Sequence, residues 1–303
     1  MQAGDHPGGP RSGRFGQGER DLARAASFET PARDLDGLAR AASFITAGAT
    51  VSIAWRAHDT DEDRLAAACA VRVAGFEPLP HLAAREVAGV AACERLLRRL
   101  HEEAGVTQIF IVGGDGAQVA GGFGSSLELL AAVAPRRSGI ARVGFAAYPE
   151  GRPGVSRTVA DSELDTKMAV AMDGGLDPFV ITQFTFSAEP VVAWLRGFRR
   201  RGNDGLVRIG LAGPAGLQAL LRYARICGVA MAAPRVLGRG ATPVLQSPGE
   251  TSAEPVLRGL AASGVFENAA PLAVHVFPLG GLERAARWSA AMTTRPDAQV
   301  SAD

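Results

Sequence analysis

From residue 25 onward the chain alternates short apolar runs with segments whose apolar residues recur at three- and four-residue spacing. The runs predict strands at 25–29, 50–55, 77–82, 108–113, 140–147, 178–183, 206–211 and 272–277. The intervening periodicity predicts helices such as Asp34–Thr46, Asp61–Ala74, Val87–Ala104 and Glu189–Arg201. Eight strand–helix units in about 280 residues fit an α/β (βα)8 barrel, the TIM barrel, better than an open doubly wound sheet. A closed parallel barrel brings the C-terminal ends of its strands to one face, where catalytic groups from different strands converge. Six runs end on a polar or aromatic residue: Glu29, Trp55, His81, Asp115, Tyr148 and Gln183.

Residues 1–20 are rich in Gly and Arg, lack periodicity and read as a disordered arm. The barrel is expected over 21–295, with a tail at 296–303. After a helical stretch at Leu217–Gly228, the segment 229–271 carries Pro234, Pro243, Pro248 and Pro255. It reads as an extended β7–β8 connection with one or two short helices. A net charge of +1 gives no global field to attract nucleic acid or an anionic membrane. No apolar stretch approaches the roughly 20 residues that span a bilayer. Cys69, Cys93 and Cys227 are widely spaced and show no metal-ligand spacing, so the expectation is a reduced, cytoplasmic, metal-free protein. An apolar helix face that pairs two copies reads the same as one packed on the barrel, so a homo-oligomer stays open.

Glu29, between Ser27-Phe28 and Thr30-Pro31, is expected where the first strand stops. A carboxyl at an apolar barrel mouth is poorly solvated, stays protonated and suits a general acid; the competing reading is a helix-entry carboxylate. Asp115 follows Gly113 and Gly114, which remove side chains where a flat ligand approaches the backbone; its alternative is a turn aspartate. Tyr148 places a ring at the end of the fifth strand, and Gln183 offers a donor and an acceptor together, matching the paired edge of a pterin or flavin. His81 is balanced between a ligand contact and a structural role, and His275 reads as structural. The loop Gly121–Ser126 reads either as a phosphate cradle or as a turn with a helix cap.

With these strand ends aligned, residues 25–290 resemble the methylenetetrahydrofolate reductase family. The specific pieces are the run from Phe179 through Gln183 to Phe186, Tyr148-Pro149-Glu150, Gly114-Asp115, Pro80-His81-Leu82 and the stretch from Tyr223 to Val229. The resemblance implies flavin-mediated hydride transfer between 5,10-methylenetetrahydrofolate and 5-methyltetrahydrofolate. FAD would be the cofactor and NAD(P)H an electron donor. It assigns Glu29 as acid, Asp115 as electrostatic partner of the pterin and Gln183 as its anchor, with Leu217 at the substrate. Trp55, His81, Gly113, Gly114, Tyr148, Arg152 and Lys167 fall on the cofactor side.

Departures from the family pattern concentrate on that side. Ala54-Trp55 replaces Thr-Tyr, Gly113 replaces an arginine, and Arg152 stands near a position usually held by histidine. Lys167 lies about a helical turn from the family's phosphate-binding lysine. Two alternatives therefore remain: direct hydride transfer from NAD(P)H without flavin, and a folate-binding protein without redox activity. A methyltransferase would need an acceptor thiol or corrinoid site, and no cysteine sits at a predicted strand end.

Overall fold

In a computed structural model describing residues 17–114, 121–152, 154–226, 253–267 and 270–294, every apolar run forms a strand. These are β1 (Ser27–Pro31), β2 (Thr50–Ala54), β3 (Glu77–Ala83), β4 (Gln108–Val112), β5 (Arg142–Ala147), β6 (Asp177–Thr182), β7 (Val207–Ala212) and β8 (Leu272–Phe277). They close in sequence order, β1 to β8, and every ladder is parallel, with β8 returning to β1 through Ser27↔His275 and Phe28↔Val276. The helices are α1 (Gln17–Arg24), α2 (Leu35–Ala41), α3 (Asp61–Val73), α4 (Val90–Ala104), α5 (Ser126–Ala132) and α6 (Arg157–Asp173). They continue with α7 (Ala188–Arg200), α8 (Leu217–Ile226), α9 (Glu254–Ala262) and α10 (Leu282–Thr294). No helix among the described residues is long and apolar enough to cross a membrane.

Helix starts are chemically marked. Asp34, Thr60, Ser125 and Ser156 each accept a backbone N–H of the first turn, and Thr60 with Asp63 makes a reciprocal capping box. The fourth helix begins at Val90 instead of the expected Val87, because Gly89 adopts φ 117° and breaks the helical path. Helix α1 begins at Gln17, inside the stretch expected to be an arm, and packs on α10 and β8; Ser289 donates to the Ala23 carbonyl at 3.1 Å. The rest of that arm, residues 227–252 of the β7–β8 connection, Cys227 included, and the tail from 295 lie outside the described residues. Helix α9 is one short helix of the connection and packs on α7.

Alternation along each strand builds two cores. Outward residues such as Val51, Ile53, Ile109, Ile111, Val143 and Val274 join the helices in one large cluster. Inward residues Leu79, Phe110, Phe179 and Ile181 form a separate plug, with Phe277 packed on it. Gly144 makes room for this plug, since a Cβ there would lie 2.5 Å from both the Phe110 and Phe179 rings. Replacing Gly144 by Val should lower stability by at least about 1–3 kcal/mol through overpacking, read as an earlier urea midpoint at unchanged slope. An unchanged midpoint would mean the two rings yield freely.

Candidate active site

The first strand runs two residues further than its sequence indicates. Pro31 closes β1 as its last residue, where a missing N–H costs the ladder little, so Glu29 is the central residue of the strand, in register with Ser52. The acid is therefore set into the barrel wall and not at a strand end. Its inward neighbours are Ser52 on β2 and His81 on β3, which by alternation share the interior with Leu79 and Phe110. His81 Nε2 lies 3.7 Å from Glu29 Oε2, with side chains 12% and 23% exposed. The imidazole rests on the Phe110 ring, centroids 4.9 Å apart.

Two buried polar atoms here, Ser52 Oγ and His81 Nε2, have no hydrogen-bond partner among the described residues. Such orphans are rare in native interiors and call for an explanation. Burial pushes the Glu29 carboxyl up to about 7, while the positive charge of Arg56 pulls weakly the other way. Burial likewise holds the His81 imidazole down at about 4. Deeper in the barrel, His275 Nδ1 meets Ser27 Oγ at 2.9 Å, as its structural reading anticipates. Its proton affinity is depressed by burial and then by the charges of Arg208 and His81.

Across the barrel, Gln183 follows β6. Its backbone N–H donates to the Ala147 carbonyl at 2.8 Å, and its Oε1 accepts the N–H of Phe184 at 3.0 Å. Gly210 lets β7 approach this turn, because a Cβ there would sit 2.3 Å from the Thr182 carbonyl. The Gly210 N–H donates to Thr182 Oγ1 at 2.8 Å. The Thr185 hydroxyl lies 2.6 Å from Glu150 Oε1 and joins the turns after β5 and β6. Leu217 opens α8 and is 39% exposed.

The remaining expected residues divide into three groups. Gly113 and Gly114 follow β4, Gly114 with φ 88°, and their carbonyls receive the Arg85 backbone N–H at 3.0 Å and its guanidinium at 3.4 Å. Asp115, the next residue, lies outside the described residues. Arg152 stands 5.7 Å over the Tyr148 ring and pairs with Glu163 at 3.3 Å. Lys167, one turn after Glu163 on α6, has its proton affinity lowered by burial; Glu163 opposes this and Arg152 adds to it. These two cations share one neighbourhood around Glu163 on α6.

Trp55 is engaged elsewhere. The Arg64 guanidinium covers its ring at 3.4 Å, and its N–H donates to Glu86 at 2.9 Å. It lines a cleft of about 150 Å³ between α3 and α4, with Asp59, Cys93 and Leu96. In the Gly121–Ser126 loop, Ser125 and the Glu128 carboxylate take the N–H groups of Glu128 and Gly124, so the helix-cap reading holds and those donors are not open to phosphate.

Sequence reasoning did not single out Ser52, Arg56, Thr182, Thr185 or Gly210. Ser52 had a signal, a small hydroxyl at an inward position of the apolar run Thr50–Ala54. The others act through neighbours distant in the chain.

Among solved structures, the chain is similar to an uncharacterised protein from Clostridium thermocellum that binds two copies of 5-methyl-5,6,7,8-tetrahydrofolic acid. Identity is 11%, the TM-score 0.58, and the match covers 91% of this chain and 96% of that one. A dihydropteroate synthase from Thermus thermophilus matches at 15% identity and TM-score 0.47, over 89% of this chain and 94% of that one. The family model of methylenetetrahydrofolate reductase matches residues 31–244, and the chain belongs to that family.

Proposed function

We propose that the protein binds a reduced folate at the barrel mouth and interconverts 5,10-methylenetetrahydrofolate and 5-methyltetrahydrofolate. The observation that carries this reading is the Glu29 carboxyl, set into the barrel wall beside Ser52 and His81 and pushed up to about 7 by burial. Opening the five-membered ring of methylenetetrahydrofolate requires a proton at the departing nitrogen. A general acid works best when its pKa lies near the working pH. Gln183 is oriented by the Phe184 N–H on its oxygen, which occupies one of that oxygen's two lone pairs; the second lone pair and the NH2 are the acceptor and donor it would offer a pterin edge. The folate bound by the Clostridium thermocellum protein supports the substrate class.

The family implies a flavin, and part of the site fits one. Arg152 and Lys167, two cations held together beside Glu163, suit the phosphates of a dinucleotide. A Cβ on Gly113 would meet nothing within 4 Å among the described residues, which leaves room for a flat ring at the end of β4. Trp55 does not fit that role, because Arg64 already covers its face. FAD, once bound, would supply the hydride chemistry and NAD(P)H would reload it; the residues of the chain bind, orient and protonate the folate. The second reading, folate binding without redox activity, draws on the same neighbour and on the altered flavin side.

An anaerobic absorption titration separates the two. The FAD-loaded protein should bleach on adding 5-methyltetrahydrofolate; a protein that binds the folate with no spectral change supports the second reading. Replacing Glu29 by Gln should cut turnover about 100-fold while folate affinity, measured by calorimetry, is kept. The same variant tests the acid without substrate. A raised carboxyl pKa stabilises the fold below about 4.5, the ordinary value, and that contribution is lost as pH rises through about 7. Glu29→Gln should therefore gain stability relative to the parent between pH 5 and 8, by about 3 kcal/mol at the top of the range. A difference that stays flat in urea unfolding at both pH values would mean Glu29 titrates as an ordinary carboxylate.

A further inference from the structure

The orphaned nitrogen beside Glu29 points to a role for His81 other than the cofactor contact expected of it. Both side chains project into the barrel from strands that flank β2, and His81 Nε2 is buried without a partner among the described residues, 3.7 Å from Glu29 Oε2. That separation exceeds a hydrogen bond, and a change of rotamer at Glu29 closes it without moving the backbone. Phe110 supports the ring from one side, so the approach falls to the Glu29 carboxyl, whose longer side chain has the rotational freedom.

We propose that His81 is the positioning residue of the acid: in the folate-free protein its Nε2 receives the Glu29 O–H and keeps the carboxyl protonated, and the O–H turns from His81 to the departing nitrogen when folate binds. The inference deepens the reading of Glu29 as general acid and rests on it. Charge supports the geometry. Burial raises the carboxyl to about 7 and lowers the imidazole to about 4, so between those values both groups are neutral. A neutral carboxylic acid has one proton to give, and a neutral imidazole protonated on Nδ1 has one lone pair, on Nε2, to receive it. Hydrogen bonding to the neutral form further favours the protonated acid. The other charged or titratable groups that bear on the pair are Arg56, acting on Glu29, and His275, which interacts with His81, with Arg208 acting in turn on His275. Arg56 favours the carboxylate, so His81 works against it in keeping the proton in place.

The test is 15N NMR of histidine-labelled full-length protein without folate, together with infrared spectra of its protonated carboxyl band, assigned by its loss in Glu29→Gln. His81 should hold the Nδ1–H tautomer with a bare, hydrogen-bonded Nε2 from pH 5 to 7. An Nε2–H tautomer, or titration at an ordinary histidine value, overturns the proposal. In His81→Leu the Glu29 C=O band should move to higher frequency as its O–H loses an acceptor, and His81→Gln, which keeps an acceptor, should restore it. An unmoved band in a folded His81→Leu protein also overturns the proposal; if that variant does not fold, the tautomer of the parent decides. None of these readouts uses folate. Failure of turnover therefore counts against the proposed reaction alone, and a wrong tautomer counts against the role of His81 alone.

Discussion

The apolar plug of Leu79, Phe110, Phe179 and Ile181 is what the interior of this barrel is built around. A ring of eight parallel strands encloses a space that side chains must fill, and here rings fill it where Gly144 gives them room. The plug shares the barrel interior with Glu29 and supports the His81 ring on Phe110. The same packing that stabilises the fold thus makes a carboxylate costly at β1 and a charged imidazole costly at β3.

The architecture was largely legible in the sequence because period-2 and period-3.6 patterns report which face of an element is buried, and eight such alternations have few closed solutions. The acid was legible as a residue type but not in its depth. Pro31 reads as a stop, yet proline ends a strand as readily as it prevents one, and the two-residue difference moves Glu29 from a rim to a wall. The contrast between Gln183 and Trp55 shows where local reading fails. Both end apolar runs, but Gln183 is fixed by its own turn, a local effect. Trp55 is claimed by Arg64 and Glu86, which lie on other elements and become its neighbours only after folding.

The two halves of the site differ in how they are built. Around Glu29 the determinants are packing and burial, with few hydrogen bonds. Around β5 and β6 they are polar links: Thr185 to Glu150, Gly210 to Thr182, Arg152 to Glu163. A packed half tolerates little change in volume, whereas a linked half can exchange one polar residue for another. Several departures from the family pattern, Gly113 and Arg152 among them, fall in or beside the linked half.

The closing seam is the long-range part of this arrangement. Ser27 meets His275 across 248 positions of chain, and the pairing of β1 with β8 is two residues long, reinforced by the Ser289 bond to Ala23. The strand that carries Glu29 is paired on one side with β2, its neighbour in sequence, and on the other with β8, far along the chain. The wall that holds this carboxyl is therefore complete only when the whole ring is, and a loss of pairing at the seam opens it from the side that local sequence does not guard.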